Sequence, residues 1–191
     1  MLIYPIYYAN VQNSFFITKL SEKGYTYNNV RRWTKRAKVD IFSLRVMIMS
    51  VNVSKQHWTD AAIDFSKKTI TYYDSQGGDG TSIRIYKGKH SVEYNTINIF
   101  DLLRKYLRSE HDDKKKSPWN DAGWEDVMPG KKIPQQIGGS DCGVFSSQFT
   151  NYLATDDAFD FTQEDIPRIR KQMLLEILNG ELKAIERVKS N

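Results

Sequence analysis

Between residues 46 and 74 the chain packs three strand-forming runs in close succession, which few folds accommodate. "VMIMSVNV" (46–53) is apolar and β-branched and reads as a central strand. "WTDAAIDF" (58–65) and "TITYYD" (69–74) read as two more, and the polar "SKK" between them suits a tight hairpin turn. "GGDG" (77–80) closes this part of the sheet; the mixed-polarity stretch to about Tyr94, with Gly88, reads as a surface excursion. Downstream the period changes. From Ile97, Phe100, Leu103 and Leu107 form a helical stripe, Phe145, Phe149, Tyr152 and Leu153 a second, and Ile169, Met173, Leu174, Ile177 and Leu178 a third. "TQED" (162–165) has the form of a capping box ahead of the third helix, but Pro167 would then lie too far inside, which moves the start toward Asp165. "KSPWNDAGWEDVMPGKKIP" (116–134) follows neither period and reads as a long ordered loop. Strands in the middle with helices around them make an α+β arrangement.

Composition narrows the function classes. A chain of 191 residues, 40% hydrophobic and 27% charged, can bury the core of one domain. Cys142 is the single cysteine, which excludes an intrachain disulfide and points to a reducing compartment, cytosol or nucleus. The start, "MLIYPIYYANV", has no basic n-region and carries Pro5 and three tyrosines; it reads as a buried strand rather than a signal peptide. No stretch approaches the roughly 20 apolar residues of a membrane helix, so no membrane partner is expected. The net charge of +5 permits an acidic partner, whether nucleic acid or protein. The cations are scattered, however, and the dense run "HDDKKK" (111–116) mixes signs and reads as a solvated loop. No zinc-finger, phosphate-loop or RNA-binding signature accompanies them, so no metal, cofactor or nucleic-acid partner is expected.

"QQIGGSDCGVF" (135–145) places the lone thiol between a glycine-rich loop and an apolar run. A helix beginning at Cys142 would set the thiol against unpaired N–H groups and the positive end of the dipole, which stabilise a thiolate. Gly138, Gly139 and Gly143 would let a substrate backbone approach closely. On this loop alone the alternative is a small buried hydrophobe. A thiol nucleophile needs a base. His90 and His111 fall in stretches that read as exposed, whereas His57 opens a strand and the next strand ends in Asp74. Adjacent antiparallel strands would bring the two to one sheet edge, where a carboxylate fixes a histidine's tautomer. Taken singly, a His at a strand end is more often a surface residue, and an Asp before Ser-Gln-Gly-Gly is usually a turn residue. The Cys142 N–H and the Gln136 amide would be donors for an oxyanion, although Gln136 alone also reads as a generic polar loop residue.

"NSFFITKL" (13–20), "VRRWTKRAKVDIFS" (30–43), "QHWTDAAIDFSKKTITYYDSQGG" (56–78), "IPQQIGGSDCGVF" (133–145) and "DFTQEDIPRIRKQMLLEIL" (160–178) together resemble the catalytic domain of the sentrin/SUMO-specific proteases. The resemblance implies a papain-like, adenovirus-protease-like cysteine protease fold, with a central mixed sheet flanked by helices and the nucleophile at a helix N-terminus. It implies His57 as base, Asp74 as its orienting carboxylate, Cys142 as nucleophile and Gln136 in the oxyanion hole. Trp58 would cover a channel for a diglycine tail, with Gly138, Gly139 and Gly143 along its floor. The implied partners are a SUMO-type modifier and its lysine conjugates, the implied compartment the nucleus, with the cytoplasm as the other possibility and "KRAK" (35–38) as a short basic element.

Relatives carry a "Trp-Leu-Asn-Asp" segment and a helix ahead of the "FF.TKL" block, so residues 1–191 are expected to be a single catalytic domain that is N-terminally incomplete. The stretch from about Asp79 to Tyr94 reads as an insertion, Gly138 replaces a usual Asn, and Thr59-Asp60-Ala61-Ala62 stands where relatives carry larger apolar residues. A buried Asp without a partner is costly. The rival to an active isopeptidase is a catalytically impaired domain that binds such a modifier without turnover; a basic nucleic-acid-binding domain comes last.

Overall fold

The computed structural model describes residues 9–87 and 92–181. In chain order its strands are β1 (Ala9–Gln12), β2 (Val46–Val53), β3 (His57–Asp64), β4 (Thr69–Tyr73), β5 (Ile83–Tyr86), β6 (Tyr94–Ile97) and β7 (Glu125–Val127). The helices are α1 (Phe16–Leu20), α2 (Arg31–Ala37), α3 (Ile99–Lys115), α4 (Cys142–Thr155) and α5 (Ile166–Asn179). Five strands make one sheet in the order β1-β2-β3-β4-β7. β2, β3 and β4 pair antiparallel, while β1 joins β2 and β7 joins β4 in parallel, so the sheet is mixed.

Both faces of this sheet are covered, which is why β2 reads as a continuous apolar run rather than an alternation. Met47, Met49 and Val51 of β2, with Ala61 and Ile63 of β3, pack into a core shared with Phe16, Leu20, Leu103 and Tyr106. Val46, Ile48 and Ala62 point to the other face, beneath Leu153 and Ala154 of α4. Each strand thus divides its side chains between two helical layers at period two. A separate aromatic cluster of Phe145, Phe149, Tyr152 and Phe161, with Ile166 and Ile169, ties α4 to α5.

The three strands and three helices expected from periodicity are all present, with local chemistry marking their ends. Asn98 Oδ1 accepts from the Phe100 and Asp101 N–H groups at 2.9 and 3.2 Å and starts α3. The Thr162–Asp165 capping box closes a single 3-10 turn, Gln163–Asp165, and α5 starts after it at Ile166. Pro167 therefore falls in the first turn of α5, where its missing N–H costs nothing.

Four expectations change. The stretch after "GGDG" is an antiparallel β5–β6 hairpin whose Ile83, Ile85 and Ile97 enter the main core, not a surface excursion; Gly88 and His90 lie outside the described residues. Its strands, IRIY and YNTI, are four residues each, too short for alternation to stand out. The run 116–134 contains β7, whose place comes from backbone pairing with β4 rather than from its side chains, of which the acidic Glu125 and Asp126 are exposed. "HDDKKK" is the end of α3, with His111 half-buried against Phe42 at 4.8 Å and its Nδ1 2.7 Å from the Ser117 carbonyl. Only the first half of the α5 stripe is covered: Ile166 and Ile169 are buried, whereas Leu174, Ile177 and Leu178 are exposed. Of the expected N-terminal strand, residues 9–12 form β1 and residues 1–8 lie outside the described residues.

Candidate active site

The sheet register brings His57 and Asp74 together. β3 pairs Asp60 with Tyr73, so extending the ladder one residue sets Asp74 opposite Thr59, diagonal to His57 on the same face. Their side chains meet, with His57 Nε2 at 2.7 Å from Asp74 Oδ1, and both are largely buried. The same carboxylate oxygen accepts from the Gln76 N–H at 2.7 Å, which fixes its rotamer. "SQGG" supplies the turn this needs. Gly77 has φ +80°, and a Cβ on Gly78 would stand 2.3 Å from Asp74 Oδ2.

Cys142 is the first residue of α4 and 8% exposed. Asp141 precedes it without capping the helix by its side chain. That carboxylate goes instead to Arg170 at 2.5 Å and to Gln163 Nε2 at 2.9 Å, and Arg170 beside it holds it below the usual carboxylate range. Burial pushes the Cys142 thiol up, but the Trp58 N–H, the His57 imidazole and the Gly143 N–H together outweigh burial and bring it below its ordinary value. His57 moves the opposite way: the bond to Asp74 raises it, against desolvation, and Cys142 raises it further. With Nε2 engaged by Asp74, Nδ1 is the ring nitrogen left for the thiol. Each shift favours a thiolate–imidazolium pair.

Gln136 is tied to the same corner. Its N–H donates to the Ser75 carbonyl at 2.9 Å, its Oε1 accepts from Ser75 Oγ at 2.7 Å, and its Nε2 donates to the Gly138 carbonyl at 2.7 Å. One further amide proton on Nε2 remains for a ligand. Trp58, half-buried, has its Cδ1 3.9 Å from where a Cβ on Gly143 would lie. A Cβ on Gly138 or Gly139 would meet nothing within 4 Å, so the chain's own packing demands glycine at neither; φ +87° demands it at Gly138. The sequence-identified residues thus converge on one end of the sheet, and three supporting residues join them. Ser75 orients Gln136, while Gln163 and Arg170 hold Asp141, with Gln163 Oε1 also accepting the Ile137 N–H at 2.7 Å. In sequence Ser75 reads as a turn serine and Gln163 is concealed inside a motif that reads as a cap. Among the described residues no group of His, Cys, Asp and Glu could hold a metal ion.

The Gly78 contact makes a direct prediction. Gly78→Ala should displace the Asp74 carboxylate from His57, so the pH at which Cys142 ionises should rise. Iodoacetamide labelling rate against pH measures this; an unchanged profile would show that Asp74 accommodates the methyl group without leaving the histidine.

Solved structures share this arrangement of elements. The SUMO protease Ulp1, with its catalytic cysteine oxidised to a sulfonic acid, superposes with a TM-score of 0.67 at 31% identity, over 90% of this chain and 69% of that one. The C-terminal Ulp1 protease domain in complex with Smt3, the yeast ortholog of SUMO, gives 0.64 at 31% identity over 90% of this chain and 68% of that one. The fold is accordingly the α+β, papain-like cysteine protease fold. In sequence, a sentrin-specific protease of Caenorhabditis elegans is 38% identical over 95% of this chain and 22% of its own length. Human sentrin-specific protease 2 is 34% identical over 91% of this chain and 26% of its own length. The chain thus spans about a quarter or less of the length of these curated relatives. Residues 9–182 match the family model of the Ulp1 C-terminal catalytic domain, and with His57, Asp74 and Cys142 gathered at the start of α4 the chain belongs to the Ulp1 protease family.

Proposed function

We propose that the chain is a cysteine peptidase that cleaves after the C-terminal Gly-Gly of SUMO-type modifiers, releasing them from lysines and maturing extended precursors. The observation that carries this is the Cys142 thiol at the start of α4, in contact with a histidine that Asp74 orients from 2.7 Å. The thiolate attacks the carbonyl carbon of the terminal glycine. The Cys142 N–H and the Gln136 amide steady the resulting oxyanion. His57, protonated, passes its proton to the departing amine as the C–N bond breaks, leaving a thioester on Cys142. His57 then takes a proton from water, whose oxygen attacks the thioester and frees the modifier carboxylate and the thiol.

Trp58 and the glycines at 138, 139 and 143 are proposed to hold the diglycine tail. Support comes from the open space at Gly138 and Gly139, which no protein atom requires, and from Trp58 standing over Gly143. SUMO as the modifier is supported by the Ulp1–Smt3 complex and by the sentrin-specific proteases among the relatives. A single catalytic domain is supported by the shared sheet beneath all the buried clusters. No described helix is long and apolar enough to cross a membrane. Residence in the nucleus is proposed on the exposed basic stretch 35–38 of and after α2 and on the lone cysteine.

The test is labelling by a SUMO bearing a C-terminal electrophile, beside Cys142→Ser and a matched ubiquitin probe. A Cys142-dependent adduct with SUMO alone is expected. Labelling by ubiquitin instead would overturn the substrate class, and no adduct from folded protein would leave a modifier-binding domain without turnover.

A further inference from the structure

Asp60 has no place in the reaction just described, yet it is fully buried three residues after His57 on β3. It points from the sheet toward α4, the same way as Ala62, and opposite Ser50 in the β2–β3 ladder. Three hydroxyls reach its Oδ1: Ser50 Oγ at 2.9 Å, Ser146 Oγ at 3.0 Å and Thr150 Oγ1 at 3.4 Å. Its Oδ2 has no hydrogen-bond partner among the described residues. No cation pairs with it among the described residues. β2 faces it with Ser50, α4 with Ser146 and Thr150, and β4 with Tyr73 beside Tyr72, both tyrosines being pushed up by burial. Burial pushes the Asp60 carboxyl up to about 7, with the three hydroxyls drawing it back down.

Stability alone does not explain this side chain. Val46, Ile48, Ala62, Leu153 and Ala154 surround the same layer, and an aliphatic residue there would avoid burying a bare carboxyl oxygen. What the carboxyl supplies is direction. Apolar packing holds a helix against a sheet without fixing where it stops along its axis. Hydrogen bonds of about 3 Å fix both slide and rotation. Ser146 lies one helical turn after Cys142, on the same side of α4. Asp60 and His57 therefore form two ties between β3 and α4, one to Ser146 and one to Cys142, a single turn apart.

We propose that Asp60 is a positioning residue: by drawing Ser146 and Thr150 onto β3 it sets how closely the Cys142 thiol stands to His57. The proposal rests on the peptidase reading where turnover is measured, and stands apart from it where thiol ionisation is measured.

Asp60→Leu and Asp60→Asn separate positioning from structure. The leucine variant should melt at or above the wild-type temperature. Its kcat should fall about tenfold or more with KM within about twofold, as a small misplacement of a nucleophile does. The pH profile of Cys142 alkylation by iodoacetamide should move upward, because the imidazole no longer meets the thiol. The asparagine variant keeps a neutral acceptor for the hydroxyls and should recover most of the loss. A folded leucine variant with wild-type kcat and alkylation profile overturns the proposal. If leucine at 60 prevents folding, the double variant Ser146→Ala/Thr150→Val, which leaves Asp60 in place, must show the same upward shift, and a wild-type profile from it overturns the proposal equally. Should the chain prove not to cleave SUMO, the alkylation profile still decides the question.

Discussion

His57→Ala should lower kcat/KM for a SUMO substrate by at least about a thousandfold while the melting temperature barely changes. Two losses combine. In the proposed reaction the imidazole is the group that accepts and returns the proton in both halves. With the Trp58 N–H, it also draws the thiol below its ordinary value, through its hydrogen bond and its charge. Without it the Trp58 and Gly143 N–H groups remain, but burial works against them unopposed by a cation, so the Cys142 ionisation should move to higher pH. The sign is definite: at neutral pH the variant holds less thiolate, and raising the pH should recover alkylation but not turnover, because the proton donor to the leaving amine is still missing. Recovery of turnover at high pH would show that His57 serves only to ionise the thiol. A loss of less than about tenfold would mean that another group acts as the base.

Phe149→Ala should be the most destabilising single change on α4. The ring is 1% exposed and lies 5.0 to 6.1 Å, centroid to centroid, from Phe145, Tyr73, Phe159 and Phe161. Removing a buried phenyl group of this kind costs about 3–5 kcal/mol in transfer and cavity terms together. Against a typical total of about 5–15 kcal/mol this is a large fraction. For a chain of this size it corresponds to a fall of roughly 6–20 °C in the thermal midpoint. Differential scanning calorimetry measures it directly. A fall under about 3 °C would mean that the cluster closes around the gap and that the sheet contacts, rather than the aromatic residues, seat the helix.

The central hairpin was readable because its signals are local. β2 is apolar on both faces, and β3 and β4 are joined by a short polar turn, so pattern and turn chemistry agree. The α3, α4 and α5 stripes were readable for the same reason. β7 and the β5–β6 hairpin were not. β7 owes its strand conformation to the edge of β4, and the pairing of β5 with β6 depends on residues eight to fourteen apart finding each other. Neither fact is written in the side chains of those segments. Ser75 and Gln163 were missed as site residues because one looks like a turn serine and the other like part of a cap. Their partners, Gln136 and Asp141, are 61 and 22 residues away in the chain.

Residue chemistry, order and spacing made His57, Asp74, Gln136 and Cys142 candidates, each at a strand end or in a loop, and the resemblance of the motifs around them to the sentrin/SUMO-specific proteases implied their roles. What they become to one another was settled by the tertiary structure. The antiparallel register sets Asp74 one diagonal from His57, and the seating of α4 on the sheet carries the thiol to the same corner. Asp60 shows the division most clearly. From sequence it is an ill-placed charge in a core strand; in the fold, Ser50, Ser146 and Thr150 converge on it from two other elements. A hydrogen-bonded cluster depends on distances of about 3 Å between residues far apart in the chain, and only the packed structure defines those distances.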